Sequence, residues 1–346
     1  MVDAICKEIK MKKDRASGQI GSIYLGGGTP SILSQAALQQ IFDAVNHTFS
    51  VDSNAEITIE ANPDDLTAAK LKELRQLPVN RFSVGIQSFY DEDLIWMNRA
   101  HHADEAQNCI RRSQDAGFEN LSLDLIYGYP LLTDSKWLSN IEKTIKLEVP
   151  HVSAYALTVE AKTALAHAIR NKKQVPVSDS QSAAQFVILM KKLTAAGFEH
   201  YEISNLAKPG CYAVHNTNYW RGVDYVGIGP SAHGFDGQNR YMNPANNAQY
   251  MQVLGENKLP EIVEELSLND RFNEYVMTSL RTMWGTDLKK IKTDFGPDFL
   301  KETNHNLKAF KDKDWLIIEN DQIKLSESGK LFADHIASEL FIVGNE

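Results

Sequence analysis

Cysteine is scarce and scattered. Cys6, Cys109 and Cys211 are the only three in 346 residues, and no two stand at metal-ligand spacing. Cys6 shares a helical stripe with Val2, Ile5 and Ile9, and Cys109 lies beside Ala106 and Ile110 on another. Both therefore read as buried structural thiols. Cys211 falls in a loop, just after Lys208-Pro209-Gly210. Positive charge is short as well. A net charge of −9 excludes a basic footprint over the whole surface, and with it general nucleic-acid binding. No apolar run is long enough to span a bilayer. Met1-Val2-Asp3-Ala4-Ile5 lacks the basic start and apolar core of a signal peptide. The expectation is a cytoplasmic protein without an integral membrane segment, acting on small molecules or protein partners.

What is present is an alternation of short apolar runs and amphipathic helices. Residues 1–14 read as a helix with no strand before it. Strands are expected at Ile23–Leu25, Ile57–Ala61, Arg81–Gln87, Leu121–Tyr127 and Val152–Leu157, with a weaker one at Tyr201–Ser204. Leu38, Ile41, Phe42 and Val45 recur on one helical face. Ser34 is placed to cap that helix and Thr67 the next. A further helix runs to Gly117, a residue suited to a C-terminal cap. Strands spaced by helices predict a parallel β/α sheet, closed or partly closed into a barrel. Ligands of such folds bind at the C-terminal strand ends.

Those ends carry chemistry. The first is Gly26-Gly27-Gly28-Thr29-Pro30, a bare turn between strand and helix. The second holds Glu60-Ala61-Asn62-Pro63, the third Gly85-Ile86-Gln87-Ser88, the fourth Asp124 through Pro130 and the fifth Tyr155-Ala156-Leu157-Thr158. Carboxylates such as Glu60 and Asp124 inside apolar strands are costly unless paired. Each could be satisfied by a neighbouring backbone N–H or arginine. Two of them, an amide and a glycine turn on successive strands favour a shared polar ligand.

The pattern changes after residue 205. His215-Asn216-Thr217-Asn218-Tyr219-Trp220 is followed by Gly227-Ile228-Gly229-Pro230-Ser231-Ala232-His233-Gly234. His, Tyr and Trp so close together can line a flat apolar pocket with one metal ligand. By itself, a loop histidine bonded to backbone is the better reading of His215. From Ser267 the chain reads as helices, then a hairpin at Trp315–Leu325, then a helix over Ser326–Ile342 carrying Leu331, Phe332, Ile336 and Leu340. This is a winged-helix-like α+β module. Glu319, Asp321, Glu327 and Asp334 point it toward protein packing rather than DNA.

The glycine turn, Glu60-Ala61-Asn62-Pro63, Gly85-Ile86-Gln87-Ser88, Asn98-Arg99-Ala100-His101, Asp124–Pro130 and His215–Trp220 occur in an order that resembles the radical S-adenosylmethionine (SAM) family of oxygen-independent coproporphyrinogen III oxidase-like proteins. Within it the chain is most similar to the HemW-type haem chaperones. The resemblance implies a partial, incomplete TIM-like barrel over residues 1–205, a closing and connecting region over 206–266 and the winged-helix-like domain over 267–346. It implies a SAM site in which Gly27, Gly28 and Thr29 meet the methionine end and Arg99 pairs with its carboxylate. In that site Glu60 takes the ammonium, Gln87 and Asp124 the ribose hydroxyls, and Ala156 and His233 lie near the adenine. His215-Asn216-x-x-Tyr219-Trp220 resembles the motif that sets the chaperones apart, with His215 as axial-ligand candidate for haem iron and Tyr219 and Trp220 as pocket walls. Cys211 is the alternative thiolate.

One departure matters. The family holds its [4Fe–4S] cluster in a Cys-x-x-x-Cys-x-x-Cys run after the first strand, and these residues contain no such run. The first strand and cluster loop are expected to be absent. The polypeptide as given is then expected not to perform radical chemistry, so its status as an enzyme stays open. The exposed edge of Ile23–Leu25 predicts an edge-to-edge homodimer or a rearrangement of residues 1–20. Haem binding and delivery to haem-accepting proteins is the first functional expectation. A coproporphyrinogen III oxidase that decarboxylates propionates is the second, and a non-radical barrel enzyme for SAM or a phosphorylated ligand the third.

Overall fold

A computed structural model describes residues 1–16 and 18–344. Ser17, Asn345 and Glu346, which belong to the terminal stretches named above, lie outside the described residues. The main sheet has seven strands: β1 (Ile20–Leu25), β2 (Val51–Ala61), β3 (Arg81–Gln87), β4 (Leu121–Tyr127), β5 (His151–Ala156), β6 (Glu199–Glu202) and β7 (Asn205–Ala207). Their order is β1-β2-β3-β4-β5-β7-β6, so β1 is an edge. The pairs β2–β3, β3–β4 and β4–β5 are parallel. It is a curled, mixed α/β half-barrel.

The expected strand at Tyr201–Ser204 is corrected. Tyr201 and Glu202 end β6, the chain turns at Ile203 and Ser204 before β7, and both strands pair antiparallel. The physical reason is local: the Glu202 carboxylate accepts the Ser204 backbone N–H at 3.0 Å and closes the turn. The other differences are strand ends, the largest being β2, which starts six residues before Ile57, counting from Val51. The caps are as expected. Ser34 Oγ accepts the Ala37 N–H and Thr67 Oγ1 the Lys70 N–H. Gly117 follows the helix Ala103–Asp115 at φ +83°.

The chain divides into two compact units. One comprises Tyr24–Ile32 and Ile57–Tyr212. Here the strands alternate. Phe82, Val84 and Ile86 of β3 and Leu121, Leu123 and Leu125 of β4 are fully buried. Ser83, Gly85 and Gln87, and Ser122 and Asp124, occupy the other face by the period of two. Cys109 is fully buried in this unit.

The other unit comprises Met1–Ile23, Leu33–Glu56 and Ala213–Glu346. The helix Val2–Met11 packs through Cys6 and Ile9 against Ile41 and Ala44 of the helix Gln35–Thr48. Glu8 of that first helix is fully buried, ion-paired to Lys12 at 2.7 Å and hydrogen-bonded by the Gly229 N–H and Tyr250 hydroxyl. Three strands, β8 (His233–Phe235), β9 (Asn239–Met242) and β10 (Ile262–Glu265), form a small antiparallel sheet. The C-terminal module pairs β11 (Thr286–Asp287), β12 (Leu316–Glu319) and β13 (Gln322–Leu325). Its hairpin turns through Asn320 and Asp321, both at positive φ, the signature of a type I′ turn. The final helix is shorter than expected, Ala333–Glu339. Leu331 and Phe332 lie in the turn before it and are about two-fifths exposed, although Phe332 stacks on Trp315. Among the described residues no helix is long and apolar enough to cross a membrane.

Candidate functional site

The strand ends of the first unit bring together most of the predicted SAM residues. Glu60 ends β2. Its carboxylate accepts the Tyr24 hydroxyl at 2.7 Å and the Gly27 N–H at 3.1 Å. Burial and the Glu60 charge raise the Tyr24 phenol far above its ordinary value, so it stays a donor. The glycine turn is thus pinned by a carboxylate already engaged with its own chain. Gly27 sits at φ +75°, where a side chain is strained. Gly28 has no such constraint, and a Cβ there would meet nothing within 4 Å. Nothing in the chain itself requires glycine at 28, which suits a bare backbone kept for close approach of a ligand. Thr29 continues the turn, its carbonyl accepting the Ile32 N–H.

Arg99 reaches the same region from the turn after the short helix Asp91–Trp96 that follows β3. Its Nη2 donates to Asn62 Oδ1 at 2.7 Å and to the Gly85 carbonyl at 3.1 Å, while Nε is buried with no acceptor. A half-buried guanidinium held only by neutral oxygens is primed for a carboxylate, which it can take bidentately. Gly85 makes the room. A Cβ there would lie 3.0 Å from Gln87 Nε2 and 3.2 Å from Arg99 Nη2. Gln87 itself has φ +66°, at the point where the β3–β4 register shifts. A left-handed glutamine costs on the order of 1 kcal/mol, and such strain concentrates at ligand sites.

Asp124 of β4 accepts the Ser83 hydroxyl, 3.1 Å from both carboxylate oxygens. Burial, against the help of serine hydroxyls, raises its pKa to about 7. It is therefore close to titration at neutral pH. Register explains the cluster: Glu60 lies opposite Ser83, Ser83 opposite Ser122, and Asp124 opposite Ser153. Ala156 ends β5 opposite Tyr127 and is exposed. His233 belongs to the other unit, on β8 opposite Met242, and is exposed. Sequence reasoning missed Tyr24, Ser83, Ser122, Ser153 and His151. The signal was present as polar residues at every second position of β3, β4 and β5.

The residues of this unit fit SAM: an open glycine backbone, an arginine lacking an anion, and a carboxylate at a strand end. The cysteines do not fit an iron–sulfur cluster. Cys6 and Cys109 are buried and their thiols raised by burial, Cys109 to about 12. Thiolates are the required ligands.

The haem-motif residues lie in the second unit on the helix Val214–Trp220. Glu56 accepts the backbone N–H groups of Val214 and His215, each at 3.0 Å, and so fixes the helix start. His215 Nδ1 is 3.0 Å from Ser22 Oγ. Burial lowers its pKa to about 4, which leaves a neutral imidazole. Tyr219, one turn on, meets His215 edge-to-face at 5.1 Å and leads to Tyr225 at 4.4 Å. Trp220 departs from this cluster: Arg281 lies over its ring at 5.4 Å and its indole N–H is buried without an acceptor. The structure therefore groups His215 with Tyr219 and Tyr225, and Trp220 with Arg281. Cys211 is partly buried and belongs to the other unit.

Fold and strand-end chemistry together define the class. Residues 2–143 match the Radical SAM superfamily and residues 266–332 the HemN C-terminal domain. The fold is similar to that of coproporphyrinogen III oxidase (HemN) from Escherichia coli, a radical SAM enzyme, with a TM-score of 0.82, 98% of this chain and 82% of that chain covered, and 22% identity. The chain is 32% identical over 317 residues to heme chaperone HemW of Bacillus subtilis (strain 168), covering 91% of this chain and 84% of the relative. It is 31% identical to heme chaperone HemW of Mycobacterium tuberculosis (strain ATCC 25618 / H37Rv), covering 93% and 80%. This chain belongs to the HemW family of radical SAM proteins.

Proposed function

We propose that this chain binds haem and delivers it to haem-accepting proteins, and that its strand ends hold SAM. The observation that carries the haem reading is His215. A half-buried, neutral imidazole next to Tyr219 is the form that ligates iron, and Tyr219 offers one aromatic wall of a flat pocket. Trp220 and Cys211 are kept as weaker candidates because their surroundings differ from those of His215. The domain reading accompanies this: residues 1–205 as the partial barrel, 206–266 as the closing and connecting region bearing the haem motif, and 267–346 as the winged-helix-like domain.

In the SAM reading Gly27, Gly28 and Thr29 border the methionine, Arg99 takes its carboxylate, Glu60 its ammonium, and Gln87 and Asp124 the ribose hydroxyls. Ala156 is assigned to the adenine side. When bound, SAM supplies a sulfonium that carries the adenosyl group. The chain's own part is to bind and orient: a fixed cation for an anion, carboxylates for hydroxyl and ammonium donors, and a bare turn for close contact. Three free cysteines suit a reducing, cytoplasmic setting, and the edge position of β1 suits pairing with a second copy.

Spectroscopic titration with haem tests the main reading. A Soret shift in the wild type that is lost in His215→Ala is expected. No shift in either protein would end it.

A further inference from the structure

Below Asp124 runs a set of polar side chains to which no ligand group is assigned: Ser122, His151, Ser153, Tyr201, Glu202 and Asn205. All lie in the unit holding β3–β7, and none is more than 4% exposed. Hydrogen counting gives the chain a direction. Glu202 Oε2 accepts the Ser204 backbone N–H, so it is an acceptor, and Asn205 must turn its amide nitrogen to it at 2.6 Å. Asn205 Oδ1 then faces Ser153, whose hydroxyl donates at 2.9 Å. A hydroxyl has one hydrogen. The Ser122 hydrogen has three acceptors within reach: Ser153 Oγ at 3.2 Å, Asp124 Oδ1 at 3.5 Å and His151 Nδ1 at 2.7 Å. Given to Ser153 or Asp124, it is spent. The hydrogen in the 2.7 Å contact between Ser122 Oγ and His151 Nδ1 then comes from the imidazole. Burial, aided by the Arg81 cation, pushes His151 well below its ordinary value, so the ring is neutral with a single N–H. Nε2 is left to accept the Tyr201 hydroxyl at 2.7 Å.

We propose that His151 is a positioning residue for Asp124, held as the Nδ1–H tautomer by a one-way hydrogen-bond chain from Tyr201 to Glu202, so that the Ser122 hydrogen is directed to Ser153 and Asp124 and never into the ring. The opposite tautomer would take that hydrogen and leave the Ser122, Ser153 and Asp124 oxygens facing one another in a dry interior, which disfavours the Asp124 carboxylate. With the hydrogen in place, Asp124 is satisfied from below by hydroxyls and turns its other lone pairs to the hydroxyls of a ligand. The charged and titratable groups around Asp124 are Glu60 from β2, which raises it, Arg81 from β3, which lowers it, and the phenols of Tyr24 and Tyr155. Arg81 also faces His151. The proposal rests on the reading of Asp124 as a ribose partner.

Two measurements test it. Long-range proton–nitrogen correlation on the wild-type protein reads the His151 tautomer directly. Nδ1–H is expected, and Nε2–H would overturn the proposal. Calorimetry with SAM over the pH range of Asp124 titration then compares wild type with Ser122→Ala, His151→Phe and His151→Asn, the last keeping an N–H donor near the Nδ1 position. The pH midpoint of affinity is expected to rise by about half a unit or more in Ser122→Ala and His151→Phe, and to stay with the wild type in His151→Asn. An unmoved midpoint in Ser122→Ala overturns the positioning role even if His151→Phe does not fold. If Asp124→Asn binds SAM as tightly as the wild type, the ribose reading falls and takes the positioning role with it. That failure differs from an unmoved midpoint in a protein whose Asp124 does matter.

Discussion

The strand-end cluster and the His215 helix solve one problem in different ways. Around Asp124 the polar groups are held by register: strands of period two place Glu60, Ser83, Asp124 and Ser153 on one face. Around His215 the period is that of a helix, which sets Tyr219 against the imidazole and sends Trp220 to Arg281. The first region is rich in hydrogen bonds, with Arg99 Nε among its few unmatched groups. The second is aromatic, with the Glu56 carboxylate at the helix start and Arg281 over Trp220 as its charges. A site of the first kind selects a small zwitterion by charge and hydroxyl geometry. A site of the second kind suits a large planar ligand with one metal bond.

Substitutions should separate the two. The largest effect is expected for His215→Ala, which should abolish the haem Soret shift while leaving SAM affinity within about twofold of wild type. A loss of both ligands would make the distinction untenable. Next is Arg99→Ala, where losing a charge-assisted pair of hydrogen bonds should weaken SAM by about 100-fold by calorimetry and leave haem binding intact. Unaltered SAM affinity would remove Arg99 from the site.

The glycine turn gives a smaller, sharper contrast. Gly27→Ala should cost about 1–2 kcal/mol in denaturant unfolding, because it forces a side chain to φ +75°. Gly28→Ala should cost little stability, having open space around its Cβ, yet weaken SAM. The reverse pattern would mean that the turn is structural throughout.

The last contrast is in pH dependence, where the two regions should have opposite sign. His215 is lowered from 6.5 to about 4 by folding. Between those values the unfolded chain takes up a proton that the folded chain refuses, so stability falls as pH drops through that window. Asp124 is raised from 3.8 to about 7. The folded chain then holds the extra proton, and its contribution is present at low pH and lost as pH rises through 7. Unfolding midpoints of His215→Gln and Asp124→Asn against wild type, measured across pH, should diverge in opposite directions. Parallel curves would show that neither group titrates as its burial implies.

Much of the scaffold was readable in advance for physical reasons. β3 and β4 fall where short apolar runs met turn residues, and Ser34 and Thr67 cap helices because each is followed by backbone N–H groups lacking partners. Glu60 and Asp124 were visible as carboxylates in apolar strands. Ser83, Ser122 and Ser153 were not. A serine in a strand carries little signal until its neighbour across the ladder is known, and register is a non-local property. The β6–β7 turn was hidden for a similar reason, since Glu202 closes it through its own side chain.

By itself, then, the order of residues determined the alternation of strands and helices, the caps, the glycine turn and the family to which the motifs point, because all of these depend on local period and local chemistry. Tertiary structure decided which polar groups face each other. It engaged Glu60 with Tyr24 and Gly27, left Arg99 Nε without an acceptor, held His215 half-buried as a neutral ring and parted Trp220 from it. Those outcomes depend on desolvation and on contacts between residues far apart in the chain, and both come into being only when the strands pair and the helices pack.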